Sequence, residues 1–342
     1  MNLEPKRRWF RFSLRTLLVL VVVLAVPLGW IAKERRQSAV EQEIAVQLEK
    51  QGFSNILFGG PYDSQELLEQ NKPQDWWRDF ARQVLGDRIV LVGTVGTKPY
   101  AIDLTLLAEL TNLETLALDS TQVIDLKPLV RLKTLQELYV VSPVSVLSSL
   151  TGLTKLKSLS LESTQVSDLQ PLAQFKNLQE LSLDSKQVGD LTPLAGLTNL
   201  KSLSFDFAQV SDLKPLARLT NLRELHVFSS VNDLSPLAEL TKLKSLKLYS
   251  AEVYDLKPLA RLTNLQELYL DLMEVSDLTQ LAGLTNLKTL RIKNAPVTDL
   301  SPLAGLTKLT DLDVLGNPVS KEQIESLQET LPMCKILHDP FP

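Results

Sequence analysis

Cysteine and histidine are almost missing from the 342 residues: one thiol, Cys334, and two imidazoles, His226 and His338. A single cysteine excludes an intrachain disulfide framework, so packing alone must hold the fold. Two histidines leave little from which to build a zinc site or an acid–base pair. No glycine-rich phosphate loop, zinc-ligand spacing or nucleophile elbow occurs, so no catalytic residue, metal or cofactor is expected. An excess of one charge is lacking too. Lys and Arg number 36 against 40 Asp and Glu, for a net charge of -4, too small to imply a strong electrostatic partner, and no nucleic-acid partner is expected. Disorder is excluded by the ordinary proportions of hydrophobic (44%) and charged (22%) residues.

What is present begins with an apolar run from Leu17 to Ala32 that holds no charged side chain. It is short of the roughly 20 residues that span hydrocarbon and at the long end of a signal-peptide core. Arg15 and Lys33 can extend it by snorkelling, and Trp9, Phe10, Phe12 and Trp30 suit the interfaces. Bulk and charge at Trp30-Ile31-Ala32-Lys33 fit an uncleaved anchor better than a cleavage site. Residues 13–32 are therefore expected to form a transmembrane signal-anchor helix behind a basic cytoplasmic tail, 1–12. Lys6, Arg7, Arg8, Arg11 and Arg15 outnumber Lys33, Arg35 and Arg36, which places the N-terminus in the cytoplasm and the remainder outside.

Residues 33–84 form a connecting region. Val40, Ile44 and Leu48 recur at helical spacing ahead of Gly52, and Phe53 to Phe58 suits a short strand. A further helix is predicted from Pro73, with Trp76, Phe80 and Val84 on one face as an apolar cap for an open solenoid end.

From Leu107 the chain repeats. Leu107, Leu129, Leu150, Leu172, Leu194, Leu216, Leu237, Leu259, Leu281 and Leu303 recur every 22 or 21 residues, inside the range of about 20–29 that marks leucine-rich repeats. A second leucine nine positions on keeps the same register, from Leu116 through Leu203 to Leu312. In Ser202-Leu203-Ser204-Phe205-Asp206 the apolar pair shares one face of a strand and the polar residues the other. The expected fold is an α/β repeat solenoid: a leucine-rich-repeat horseshoe with a parallel β-sheet on its concave face and short helical or 3-10 turns on its convex face. The solenoid is assigned to 85–319, starting with a degenerate unit near Arg88. A C-terminal cap helix and tail, 320–342, open on the capping-box pattern Ser320-Lys321-Glu322-Gln323.

Asp125, Asp168, Asp190, Asp212, Asp233, Asp255, Asp277 and Asp299 share one position in the unit. One carboxylate per unit cannot supply the about six to eight oxygens that calcium wants. Capping the following turn accounts for the spacing, with Asp212 accepting from the Lys214 backbone. Val146 breaks the series, and a local irregularity is expected there.

Val-Ser-Asp-Leu-Lys-Pro-Leu-Ala-Arg-Leu-Thr-Asn-Leu from Val210 and the matching segment from Val297 closely resemble the repeats of bacterial internalin-type proteins. The resemblance covers about two-thirds of the chain. It implies protein recognition on the concave face. Two departures stand out. The asparagine that usually follows the strand is Thr121, Thr164, Lys186, Ala208, Ala251, Met273 or Ala295, returning only at Asn317. The tail also holds no cell-wall sorting signal, so attachment is expected through the N-terminal run.

Exposed strand positions, with Phe207 close by, then define the candidate binding face: Tyr139, Glu224, His226, Phe228, Lys247, Tyr249, Glu267, Tyr269 and Asp271. Aromatics clustered on a rigid sheet suit interface anchors. The expected function is non-catalytic capture of a protein or peptide by a single-pass membrane protein. The alternative is a structural or scaffolding envelope component, self-association included, with no discrete ligand.

Overall fold

The computed structural model describes residues 43–44, 46–47, 56–58, 89–92, 104–111, 113–119, 125–206, 209–249 and 252–341. Thirteen strands are described. The first two, β1 (Ile56–Phe58) and β2 (Ile89–Val92), pair antiparallel in a small sheet, and β2 lies close to β3. The other eleven form one parallel sheet in strict chain order. They are β3 (Thr115–Asp119), β4 (Glu137–Val141), β5 (Ser158–Thr164), β6 (Glu180–Ser185), β7 (Ser202–Asp206) and β8 (Glu224–Phe228), then β9 (Ser245–Tyr249), β10 (Glu267–Asp271), β11 (Thr289–Lys293), β12 (Asp311–Asp313) and β13 (Lys335–Leu337). Each strand beside its predecessor in sequence is the signature of a solenoid.

The turn between strands follows from leucines three apart. Leu213, Leu216, Leu219, Leu222 and Leu225 are all buried. A 3-10 helix has about three residues per turn, so this spacing stacks them along one line. The backbone obeys the same period: Leu216 N donates to Leu213 O, Leu219 N to Leu216 O and Leu222 N to Leu219 O, each at 2.9 Å. Pro215 falls at the start of the turn, where a missing N–H costs nothing. The strand then takes over with Leu225 and Val227 inward, and one apolar core runs the length of the array.

The aspartates act as expected. Asp212 Oδ1 accepts from Lys214 N at 2.9 Å, and Asp125, Asp168, Asp190, Asp233, Asp255, Asp277 and Asp299 each accept from the backbone two residues on. At Val146 the turn shrinks to Ser148–Leu150, and the next strand slips register beside Ser163, whose φ is +56°.

At the C-terminal end, helix Lys321–Thr330 covers the last unit with Ile324 and Leu327. Ser320 caps it, accepting from Gln323 N at 3.3 Å. The reciprocal half of the predicted box is not made by Gln323. Its Oε1 instead accepts from Leu300 N at 2.9 Å and so fastens the helix to the preceding turn. Gly316 turns the chain with φ +76°, and a Cβ there would lie 2.9 Å from Asn294 Oδ1.

Near the N-terminus, Glu43, Ile44, Val46 and Gln47 are helical, with Ile44 in the core cluster and Val46 exposed. Among the described residues no helix is long and apolar enough to cross a membrane. The run from Leu17 to Ala32, the helix predicted from Pro73 and Phe207 lie outside those residues.

Candidate functional site

The five-residue strands β7 to β11 each turn three residues outward, so this stretch of the concave face consists of three rows. Register fixes who stands beside whom. The first row aligns Glu224, Ser245 and Glu267, the second His226, Lys247, Tyr269 and Arg291, the third Phe228, Tyr249 and Asp271. The eight predicted residues on β8 to β10 thus form one contiguous patch. Tyr139 does not join it. It occupies the second row on β4, four strands from β8 and about 19 Å away at about 4.8 Å per strand. Its hydroxyl lies 3.4 Å from Ser158 Oγ.

The rings are organised. Phe228 and Tyr249 stack with centroids 4.0 Å apart and planes within 7°. Tyr269 is approached by two cations, Lys247 Nζ at 5.2 Å and the Arg291 guanidinium at 4.8 Å from its ring centre. Cations so placed are drawn to the ring's negative face. Burial, and then the carboxylate of Glu267, raise the Tyr269 phenol above its ordinary value, so its hydroxyl stays a donor. His226 is held down at about 4, first by burial and then by Lys247, with Glu267 opposing. It is therefore a neutral imidazole near pH 7. Phe228 is exposed at 37%.

Arg291 belongs to the patch although its unit carries no exposed aromatic; only the register beside Tyr269 reveals it. A second missed feature lies in the first row, where hydroxyl and acid alternate from Thr115 and Glu137 to Thr289 and Asp311. Glu137, Glu180, Glu224 and Glu267 recur every 43 or 44 residues. Each accepts a hydroxyl hydrogen bond across the sheet: from Thr115 at 3.1 Å, Ser158 at 3.1 Å, Ser202 at 3.2 Å and Ser245 at 3.1 Å. The true period is a pair of units. Comparing alternate units, rather than successive ones, would have exposed it in the sequence.

Hydroxyls also fill part of the task of the missing asparagines. Thr164 Oγ1 donates to Asp184 O at 2.7 Å, Ser185 Oγ to Val166 O at 2.5 Å and Ser229 Oγ to Val210 O at 2.6 Å, all three residues buried. An asparagine series exists at the other corner, before the strand. There Asn177, Asn199, Asn221, Asn264 and Asn286 each donate to a carbonyl of the preceding unit. Among the described residues no cluster of His, Cys, Asp or Glu could hold a metal ion.

A family model described as Leucine Rich repeats (2 copies) matches residues 154–196. Among curated proteins none matches significantly. The crystal structure of an internalin, InlF, of Listeria monocytogenes is 31% identical with a TM-score of 0.62, over 73% of this chain and 80% of that one. The functional domain of InlJ from the same organism, which includes a cysteine ladder, shares the fold at 19% identity and a TM-score of 0.52, over 69% of this chain and 51% of that one. With one cysteine, the present chain can have no such ladder. Repeat length, parallel sheet, 3-10 turns and the likeness to InlF agree: the chain belongs to the internalin-type leucine-rich-repeat proteins.

Proposed function

We propose that the chain is a membrane-anchored recognition protein that captures a protein or peptide on its concave face and performs no catalysis. The observation that carries this is the patch on β8 to β11: stacked Phe228 and Tyr249 beside Tyr269, with Lys247 and Arg291 at its ring. Aromatic side chains on a rigid sheet lose little entropy when covered, and together with arginine they dominate interface energetics. The leucine-rich-repeat scaffold, whose members generally offer a surface to protein partners, supports the same reading. The apolar run within 13–32 would hold the protein to a membrane, with the basic N-terminus in the cytoplasm and the repeats outside.

A photo-crosslinking residue at Tyr249 in living cells tests this. One discrete partner should be captured. Tyr269→Ala should weaken its binding by about 2 kcal/mol, about thirtyfold. Crosslinks to other copies of the chain alone would instead establish the scaffolding role. A reporter that works only outside the cytoplasm, fused at the C-terminus, should be active; an inactive fusion at normal abundance overturns the orientation.

A further inference from the structure

The net charge of -4 hides a segregation that the solenoid makes visible. Just before each strand from β4 to β12 two exposed or half-buried positions flank a buried leucine, as Lys155 and Lys157 flank Leu156. Stacked over the units, these positions make two rows along the edge where the chain enters the sheet. From unit to unit between Lys155 and Thr310, neither row contains a carboxylate or an aromatic ring. Lys155, Lys157 and Lys201 belong to it, and Arg223, Lys242, Lys244, Lys288 and Lys308 continue it. None of these cations is in an ion pair among the described residues. At about 4.8 Å per strand the strip runs about 34 Å from β5 to β12.

At its first units the strip hollows into an open groove of about 540 Å³, lined by Lys155, Lys157 and Lys201 and by four carboxamides. The amides orient the ammoniums: Lys157 Nζ donates to Gln136 Oε1 at 2.7 Å and Lys201 Nζ to Gln179 Oε1 at 2.6 Å. Each ammonium keeps donors to spare. Asn177 and Asn199 direct their Nδ2 at the backbone, which leaves each Oδ1 to accept a hydrogen bond.

We infer that this edge is a second binding surface, separate from the concave patch, for a linear anionic polysaccharide. A line of cations outside any ion pair, present before six of the eight strands from β5 to β12, suits a polymer that carries many anionic groups. Carboxamides between the cations match hydroxyl groups, which a sugar polymer supplies. The absence of rings removes the stacking platform that single-stranded nucleic acid uses. The absence of apolar side chains removes the pockets that anchor a peptide.

Binding of polygalacturonate and dextran sulfate to the full-length chain is the test, with dextran, polyglutamate and a single-stranded oligonucleotide as comparisons. At least one anionic polysaccharide should bind saturably, and raising salt from about 0.05 M to about 0.2 M should weaken it roughly tenfold. Combined Lys155→Gln, Lys157→Gln and Lys201→Gln should weaken it at least about tenfold, since each cation contributes to a salt-dependent attraction. The corresponding arginine variant should retain binding, and thermal midpoints should match throughout because these side chains are exposed. Tyr249→Ala with Tyr269→Ala should leave this binding intact. The inference is overturned if neither polysaccharide binds, if dextran binds equally, or if polyglutamate or the oligonucleotide binds more tightly. It is also overturned if the glutamine variant keeps full affinity or the tyrosine variant loses it.

Discussion

Leu203 shows how tightly one residue is specified. It is 1% exposed, on the inner face of β7, and the neighbouring units offer no freedom to collapse around a void. Leu203→Ala should therefore cost about 2–5 kcal/mol, read as a lower denaturation midpoint; an unchanged midpoint would deny its place in the core. His226 answers to pH instead. Its folded-state pKa of about 4 lies below the ordinary 6.5. Between those values the unfolded chain binds a proton that the native chain does not, so stability falls as pH drops through the window. His226→Gln should flatten the midpoint between pH 6.5 and about 5, above most carboxylate titration; an identical slope in both proteins would remove His226 as the cause. Cys334, buried and pushed up to about 11, is a packed thiol with no nucleophilic character near pH 7.

At the scale of the element, leucine spacing made strand, convex turn and inward face legible beforehand, while the choice between an α-helical and a 3-10 turn was settled only by the i to i+3 bonds of the backbone. Asp212 was legible for the same reason: a short carboxylate before a turn has one nearby donor to find. Ser229 was not. Whether a serine is buried depends on the neighbouring unit, and local pattern does not carry that information. Its hydroxyl closes on Val210 O at 2.6 Å in a buried corner. Ser229→Ala should cost about 1–3 kcal/mol by leaving that carbonyl short of a partner, and equilibrium unfolding measures it. Cost near zero would mean the corner holds without the hydroxyl. The candidate patch was half legible. The aromatics could be listed, but the pairing of Tyr269 with Arg291 needed the register between β10 and β11.

The whole molecule behaves as a line of neighbours rather than a globule with one centre. Contacts run between adjacent units, so damage should spread locally. In Leu203→Ala, amide exchange should quicken in β6, β7 and β8 well before β12, as hydrogen exchange resolved by strand would show. Uniform acceleration would mean that the array unfolds as one cooperative block. Charge is organised at the same scale. Cations gather just before the strands, with the first-row acids Glu137, Glu180, Glu224, Glu267 and Asp311 directly beside them, and the capping aspartates with Glu162, Asp184 and Asp206 follow the side where strands end. A nearly neutral sum therefore conceals the strip from Lys155 to Lys308.

The alternation of hydroxyl and acid along the first row has a consequence for how this array can change length. Glu224 and Glu267 are kept apart by Ser245, and each leans on the serine before it. Excising the single unit that carries Ser245 would bring two glutamates side by side at about 4.8 Å, a destabilising pairing of like charges. Removing two consecutive units would again set a hydroxyl beside each glutamate. The first row thus obeys a parity rule: the array can lose or gain units in twos with the alternation of this row intact, and each odd step leaves a seam.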